Sequence, residues 1–259
     1  MSAVVLEKVS VRYGARAALS EVSARFAAGA VTGIVGPNGA GKTSLLRAIL
    51  GLQPLADGSI RILNKSLAEW PRRELARAAA YLPQGGEAKW PMLAQDVAML
   101  GRLPHRAAFA TPSASDRLAV GEALARCDAS AFAHRRTDEL SAGERARVLF
   151  ARALATGAPI LLTDEPAAFL DPAHQLRLME LLREEARRGA AVAVTLHDLS
   201  LAARHCDEII VLHQGRLAAD GAPATALSDE ALAQVFGIAA LRVRDPEGGR
   251  DTLASFRRL

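Results

Sequence analysis

The chain has few of the residues and patterns that would assign it to several common classes of protein. Its 259 residues include only two cysteines and 4% aromatic residues. Cys127 and Cys206 are isolated in the sequence and form no C-x-x-C pattern, which favours reduced, buried thiols over a disulfide framework. No apolar run approaches the ~20 residues that a membrane-spanning helix needs. The N-terminus lacks a basic stretch followed by an apolar block, so we expect no secretory signal.

The charge pattern argues against a surface dedicated to nucleic acid. The formal net charge is +4, and the basic residues are scattered and not interleaved with aromatic ones. Arg12, Arg16 and Arg25 are examples, and solvated positions are the default interpretation for them. The six histidines show no metal-ligand spacing. A weak attraction to an anionic membrane surface is compatible with this charge.

One stretch, GPNGAGKT, fits the phosphate-binding pattern G-x-x-x-x-G-K-[ST] at every fixed position. A β-branched run, VTGIV, precedes it as a predicted strand, and a predicted helix follows. Glycines let backbone N–H groups converge on a polyanion, and the helix start adds further donors. The pattern predicts nucleotide binding, and the predicted contacts are Gly36, Pro37, Asn38, Gly39, Ala40, Gly41, Lys42, Thr43 and Ser44.

Polar residues at the ends of other predicted strands are candidates for magnesium binding and hydrolysis. Asp164 ends an apolar strand and is predicted to hold Mg²⁺ through water, together with the Thr43 hydroxyl. Glu165 follows directly, where a carboxylate can polarise the attacking water. Gln84 offers an amide oxygen to Mg²⁺ or to the water, although alone it is more often a loop residue. A further buried strand is predicted to end at His197, a position that favours contact with the γ-phosphate.

The fold predicted from these patterns is α/β, with a P-loop NTPase core. An antiparallel β subdomain opens the chain, and a Pro-punctuated helical insert interrupts the core. We expect a single domain over residues 1–259, with the ATP-binding core and β subdomain at 1–84 and 156–237. The helical subdomain is expected at 85–155, and a C-terminal extension at 238–259. In the helix after Asp171, we predict a buried stripe of Leu176, Met179, Leu182 and Ala186.

The sequence LSAGE distinguishes this chain from other P-loop proteins, because it resembles the Leu-Ser-Gly-Gly-Gln signature of the ABC transporter ATP-binding subunit. The order of motifs also resembles that family over residues 4–237, which implies an aromatic A-loop residue at Tyr13, a D-loop at Asp171, and roles for Gln84, Asp164, Glu165 and His197. From the residues alone, stacking of Tyr13 on adenine and packing at a strand end are equally supported. The resemblance implies that the signature residues contact ATP on a partner chain; they are Ser141, Ala142, Gly143 and Glu144.

Three positions depart from the family pattern. Ala142 replaces the first glycine of the signature, and Glu144 replaces its glutamine. Glu144 also completes an S-x-x-E capping box, so its carboxylate has two possible positions, near the nucleotide or on the Ser141 N–H group. Phe169 is bulkier than the residue expected in the D-loop. These departures leave the rate of hydrolysis open.

Features after the Q-loop and at the C-terminal end resemble ATP subunits of importers for iron–siderophore complexes, haem and cobalamin. That resemblance implies a homodimer on the cytoplasmic side of the cell membrane, two integral-membrane permease subunits and a substrate-binding protein. It also implies ATP and Mg²⁺ as cofactors, with Thr43, Gln84 and Asp164 at the metal. The alternatives are an exporter, a soluble ABC ATPase and a nucleotide-gated interaction protein without turnover.

Overall fold

A computed structural model describes residues 2–85, 91–167, 171–244 and 251–259. The chain forms two compact units. One contains residues up to Trp70 and from Glu185 onward, and the other contains Pro71–Glu184. The α/β architecture predicted from the sequence is confirmed. The boundaries of the core, insert and extension stay a prediction.

The first unit opens with an antiparallel sheet in the order β2-β1-β4-β5. Its strands are β1 (Ser2–Tyr13), β2 (Arg16–Ala27), β4 (Asp57–Ile62) and β5 (Lys65–Ser66). In β1, Val4, Leu6, Val9 and Val11 are buried. Val4 and Leu6 are two residues apart, as are Val9 and Val11, so each pair lies on one face of the strand. The pairing of β1 with β2 shifts register between Leu6 and Val9, and this irregularity accompanies the change of phase between the two buried pairs.

A second sheet of the first unit is built on β3 (Val31–Val35), which pairs in parallel with β8 (Ala191–Thr195) and β9 (Glu208–His213). Every residue of β3 and β8 is buried, as expected of parallel strands covered on both faces. The helix α1 (Lys42–Ile49) follows β3, and α7 (Leu199–His205) follows β8. The antiparallel strand β10 (Arg216–Gly221) pairs with β9.

The C-terminal part of the first unit contains short helical segments and a hairpin. They are α8 (Pro223–Ala226), α9 (Asp229–Ala231), and the strands β11 (Ile238–Arg244) and β12 (Asp251–Arg258). Leu253 of β12 is only 3% exposed, and this strand packs against α7. The described residues of the predicted C-terminal extension include β11 and β12, which pair as antiparallel strands.

The second unit is mainly helical and contains one parallel strand pair. Its helices are α2 (Arg72–Ala78), α3 (Ala94–Met99), α4 (Ala114–Arg126), α5 (Ala142–Ala155) and α6 (Pro172–Arg187). The strands β6 (Ala79–Leu82) and β7 (Ile160–Thr163) pair in parallel. Helices α3, α4 and α5 pack on one another, which agrees with the predicted helical insert.

One expectation for α6 is wrong. Met179, Leu182 and Ala186 are buried, but Leu176 is 40% exposed. At 100° per residue, Leu176 lies about 60° beyond Met179 and away from Leu182, so it leaves the buried face. Leu178 and Leu181 complete that face.

Among the described residues, no helix combines the length and the apolar character that crossing a bilayer would require.

Both cysteines are buried, as the sequence predicted, and neither is in a disulfide. Burial raises the pKa of the Cys127 thiol to about 12. That thiol is therefore protonated at neutral pH and is a poor nucleophile, because the thiolate is the reactive form.

Candidate nucleotide site

The loop from Gly36 to Gly41 requires glycine for steric reasons that the structure makes explicit. A Cβ atom at Gly36 would lie 2.2 Å from the carbonyl oxygen of Leu212, and one at Gly41 would lie 2.7 Å from that of Ala18. Both glycines also have positive φ angles, 152° and 108°. Backbone is packed against backbone here, so a side chain at either position would displace the loop.

Lys42 is the first residue of α1, and the residue is buried, with only 6% of its surface exposed. Its ammonium group donates hydrogen bonds to the carbonyl oxygens of Gly36 (2.8 Å) and Pro37 (3.3 Å). Because the first N–H groups of a helix have no intrahelical acceptor, the start of α1 adds donors beside this ammonium group. Loop, lysine and helix start thus supply the positive potential that a phosphate chain requires.

Two other predicted residues belong to the same unit as this loop. Tyr13 ends β1 and is 42% exposed, which leaves its ring accessible for stacking. His197 follows β8 in an exposed position, directly before Asp198 caps α7. The predicted strand was two residues too long, since β8 ends at Thr195.

The second unit brings Gln84, Asp164 and Glu165 together at the ends of β6 and β7. The Asp164 N–H donates to the Leu82 carbonyl (2.8 Å), which fixes the end of β7 against β6. The Gln84 side-chain amide donates to the Glu165 carboxylate. Gln84 and Glu165 are therefore hydrogen-bond partners. The sequence did not predict this contact, because each residue was assigned from the pattern of its own strand.

Tyr81 is a further member of this group that the sequence patterns did not reveal. Its hydroxyl donates to Asp164 Oδ2 at 3.3 Å. The Asp164 side chain is buried, with 1% of the residue exposed, so a fixed donor orients a carboxylate that has little contact with solvent. Tyr81 lies on β6, three residues before Gln84, which follows the end of that strand. Its closeness to Gln84 in the sequence was the available signal.

The backbone at Glu165 adopts an uncommon conformation. Its φ angle is 49°, in the left-handed region, and Pro166 follows directly. Non-glycine residues held in that region cost roughly 1–3 kcal/mol and concentrate at functional sites. The strain, the contact with Gln84 and the neighbouring Asp164 all favour a functional role for this carboxylate.

The oxygen donors of Thr43, Gln84 and Asp164 are of types that suit Mg²⁺. Magnesium prefers oxygen ligands and keeps several waters, and it is usually bound through one or two carboxylates together with substrate phosphates. Thr43 offers a hydroxyl in the first unit, and Asp164 offers a carboxylate in the second. Gln84 directs its amide nitrogen to Glu165, so its amide oxygen is the atom available for a metal.

The signature residues occupy the start of α5 as a complete capping box. The Ser141 N–H donates to Glu144 Oε2 (2.8 Å), and the Glu144 N–H donates to Ser141 Oγ (3.2 Å). Hydrogen bonds from the Ser141 backbone and side chain hold the pKa of Glu144 below its usual range. Of the two positions that the sequence allowed for the Glu144 carboxylate, the structure shows the one on its own helix.

Arg135 neutralises the remaining oxygen of that carboxylate. Its Nη1 lies 3.3 Å from Glu144 Oε1, and its Nη2 donates to the Glu139 carbonyl at 2.7 Å. The contact spans nine residues across a turn, a spacing with no sequence signature. Ser141 and Ala142 are exposed beside this pair.

Asp171 is held by His174 in the first turn of α6. Its two carboxylate oxygens contact the His174 N–H (3.0 Å) and the His174 Nδ1 (2.6 Å). These hydrogen bonds lower the pKa of Asp171. A Cβ atom placed on Gly143 would lie 3.9 Å from the His174 ring, so this histidine links Asp171 to the signature helix. Leu170 and Phe169 of the predicted D-loop lie outside the described residues.

The predicted site residues thus fall into two groups, one in each unit. The first unit positions Tyr13, the phosphate-binding loop and His197. The second contains the Gln84–Asp164–Glu165 group, and it also contains the signature and Asp171.

Comparison with known proteins identifies relatives over nearly the whole chain. A sequence model of the ABC transporter family matches residues 19–168. The hemin import ATP-binding protein HmuV of Rhodococcus jostii is 44% identical over 88% of this chain and 78% of its own length. The cobalamin import ATP-binding protein BtuD of Halobacterium salinarum is 39% identical over 91% of this chain and 59% of its own length.

Solved structures agree with the fold. An ABC transporter described as of metal-chelate type, in an inward-facing conformation, superposes with a TM-score of 0.85 at 23% identity. That match covers 100% of this chain and 98% of the other. A bacterial ABC transporter cassette solved as a dimer gives a TM-score of 0.74 at 27% identity, over 85% of this chain and 98% of the other.

Proposed function

Because the chain belongs to the ABC transporter family and is an ATP-binding ATPase, we propose that it powers the import of an iron chelate, haem or cobalamin. The observation that carries this proposal is the 44% identity to a hemin import ATP-binding protein over 88% of the chain. Haem is the first candidate cargo, and cobalamin and siderophores are the others.

We propose that the nucleotide binds through the residues that the sequence predicted. The P-loop, with Lys42, holds the phosphates, and Tyr13 stacks on adenine, an interaction worth ~1–3 kcal/mol in base recognition. Thr43, Gln84 and, through water, Asp164 hold Mg²⁺, which neutralises charge on the phosphates. The donor chemistry and the orientation of Asp164 by Tyr81 support these roles.

Hydrolysis is proposed to depend on Glu165 and His197. Glu165 accepts a proton from the attacking water, and His197 contacts the γ-phosphate. The side-chain amide of Gln84 orients the Glu165 carboxylate. The same amide is proposed to bind Mg²⁺ through its oxygen, so metal binding and orientation of the base would be coupled through one side chain.

The assembly is proposed to contain two copies of this chain and two permease subunits, fed by a substrate-binding protein. Ser141, Ala142, Gly143 and Glu144 of one copy then face ATP on the P-loop of the other, and Asp171 lies at that interface. The dimeric cassette among similar structures supports this arrangement. The proposed location is the cytoplasmic side of the cell membrane, as a peripheral subunit.

A groove in the helical unit is the proposed contact with the permease. A cavity of about 440 Å³ lies between α3 and α4, lined by apolar Met99, Val120 and Leu124 and by polar Gln95 and Asp96. Mixed apolar and polar walls suit an amphipathic helix, which inserts its apolar face into such a groove. The occupant that we propose is a cytoplasmic helix of the permease.

Site-directed crosslinking tests that contact. Gln95→Cys and Gly121→Cys, both on the groove, are expected to crosslink to the permease in the assembled complex. Arg25→Cys is the matched control, because Arg25 is exposed on β2. It is expected to give no crosslink to the permease. The native cysteines are buried and should stay unreactive. Crosslinking from position 25 alone would place the contact elsewhere.

Reconstitution tests the proposed cargo. With its own permease and binding protein in liposomes, the ATPase rate is expected to rise when the binding protein carries haem. Binding protein loaded with cobalamin or a ferric siderophore gives the comparison among the candidates. Stimulation by an amino acid or a sugar, with none from these chelates, would refute the importer class proposed here while leaving the ATPase assignment intact.

A further inference from the structure

We propose that Arg16 is an additional nucleotide-binding residue that contacts the phosphate chain of ATP. From the sequence, Arg16 was interpreted as one of several scattered basic residues at solvated positions. The structure places it beside the phosphate-binding loop, within the same compact unit. The inference rests on the proposed binding of the ATP phosphates to that loop.

The start of β2 is fixed against the loop by backbone contacts. A Cβ atom at Gly41 would lie 2.7 Å from the Ala18 carbonyl oxygen, so strand and loop are in direct contact. The Ser20 N–H donates to the Gly215 carbonyl at 2.7 Å, and the Gly215 N–H donates to the Ala40 carbonyl at 3.1 Å. These backbone contacts hold the start of β2, and therefore the residues near Arg16, at a fixed position beside the loop.

The Arg16 guanidinium lies over the middle of the loop. Its Nη2 is 3.6 Å from the position that a Cβ atom on Gly39 would occupy. Arg16 is exposed. Within the described parts of the chain, its side chain has neither a hydrogen bond nor an ion pair, so its donors are not committed to a structural role.

The position suits recognition of a polyanion. A guanidinium presents planar donors that match phosphate oxygens, and it remains charged at any pH of interest. Gly39 belongs to the backbone cradle that is proposed to hold the phosphates. Arg16 is also the cross-strand partner of Tyr13, so the two side chains lie on the same face of the hairpin. One hairpin end would then supply an aromatic ring for adenine and a cation for phosphate.

Equilibrium binding to the full chain tests this role, with MgATP, MgADP and AMP as ligands. Arg16→Gln retains part of the stem and removes the charge, and Arg16→Lys retains the charge without the planar fork. Arg25→Gln is the matched control, because Arg25 is also exposed on β2 and lies nine residues, roughly 30 Å, along the strand. Thermal melts establish that each variant folds.

We expect Arg16→Gln to weaken MgATP and MgADP binding roughly three- to tenfold, as for loss of a charge-assisted hydrogen bond at an exposed site. AMP, which lacks the β- and γ-phosphates, should bind the variant and wild type equally. Arg16→Lys should fall between them, and Arg25→Gln should match wild type. Raising the salt concentration should reduce the difference between Arg16→Gln and wild type, because salt screens an exposed charge.

Two results would overturn the inference. One is equal MgATP affinity of wild type, Arg16→Gln and Arg25→Gln. The other is an equal loss for AMP and ATP, which would assign Arg16 to the hairpin or to adenine. Failure of wild type itself to bind MgATP would instead contradict the nucleotide site and not Arg16 alone.

Discussion

At the scale of single residues, the contact between Gln84 and Glu165 provides the sharpest prediction. We expect Glu165→Gln to retain ATP binding and to lose hydrolysis by ~10²–10⁴-fold, because the change is nearly isosteric and removes the base. The Gln84 amide can still donate to the new side-chain oxygen, so the local structure should persist. The measurements are ATP affinity and steady-state ATPase rate of the assembled complex.

Glu69→Gln is the control for that experiment, since Glu69 is exposed and belongs to none of the proposed sites. It should hydrolyse ATP at the wild-type rate. Wild-type turnover by Glu165→Gln would show that another group accepts the proton. A loss of ATP affinity in the same variant would point to a structural effect of the strained backbone at position 165.

At the scale of elements, α4 begins with a capping box that makes stability depend on pH. Asp116 Oδ2 accepts from the Ser113 hydroxyl (2.7 Å) and from the Ser113 N–H (3.0 Å). Asp116 Oδ1 accepts from Arg102 Nε at 2.9 Å. Hydrogen bonds from Ser113, and then from Arg102, hold the pKa of Asp116 well below its usual range.

We therefore expect Asp116→Asn to lower the melting temperature at neutral pH. A carboxyl whose pKa is depressed by folding stabilises the protein above its unfolded pKa, about 3.9, and loses that contribution as the pH falls below it. The difference between wild type and variant should narrow only in that acidic range. The measurement is a series of thermal melts from neutral pH into that range.

Asp220→Asn, on an exposed strand position, supplies the control and should show no comparable dependence. A difference in melting temperature that is constant across the whole pH series would mean that Asp116 acts by packing alone. If Asp116→Asn melts at the wild-type temperature at neutral pH, the Asp116 carboxylate does not stabilise the start of α4.

The elements also show what the sequence could and could not predict. The α5 capping box was predicted, because Ser141 and Glu144 lie three residues apart and both contacts are local. The succession of β3, the phosphate-binding loop and α1 was also predicted, because its pattern is local in the sequence. The contacts of Arg135 with Glu144 and of Tyr81 with Asp164 were not, because they join residues 9 and 83 positions apart. Pairing over such distances is set by packing.

Arg16 illustrates a second limit of the sequence. A lone arginine in a hairpin has the same pattern whether it is solvated or lies beside a functional loop. Its position follows from the backbone contacts of Ala18 and Gly215 with the loop. Leu176 shows the converse, since an apolar residue at a plausible helical spacing lies outside the buried face.

At the scale of the whole molecule, the question is whether each ATP site is completed by a second chain. In the cap, Ser141 Oγ accepts a hydrogen bond from the Glu144 N–H. The hydroxyl proton therefore remains available to a phosphate oxygen, and Ser141 is exposed. Ser141 can therefore cap its own helix and contact a phosphate of a partner chain at the same time.

A mixing experiment decides between sites shared by two chains and sites built within one. Lys42→Ala disables the P-loop but keeps the signature, and Ser141→Arg disables the signature but keeps the P-loop. If sites are shared, a mixed dimer has one intact site and one that is damaged on both sides. Mixing the two inactive variants should then restore part of the ATP-dependent dimer formation, measured by size-exclusion chromatography of differently tagged chains. Loss of the cap itself costs only ~1 kcal/mol, so thermal melts should show both variants folded. No recovery from folded variants that form mixed dimers would contradict the shared site.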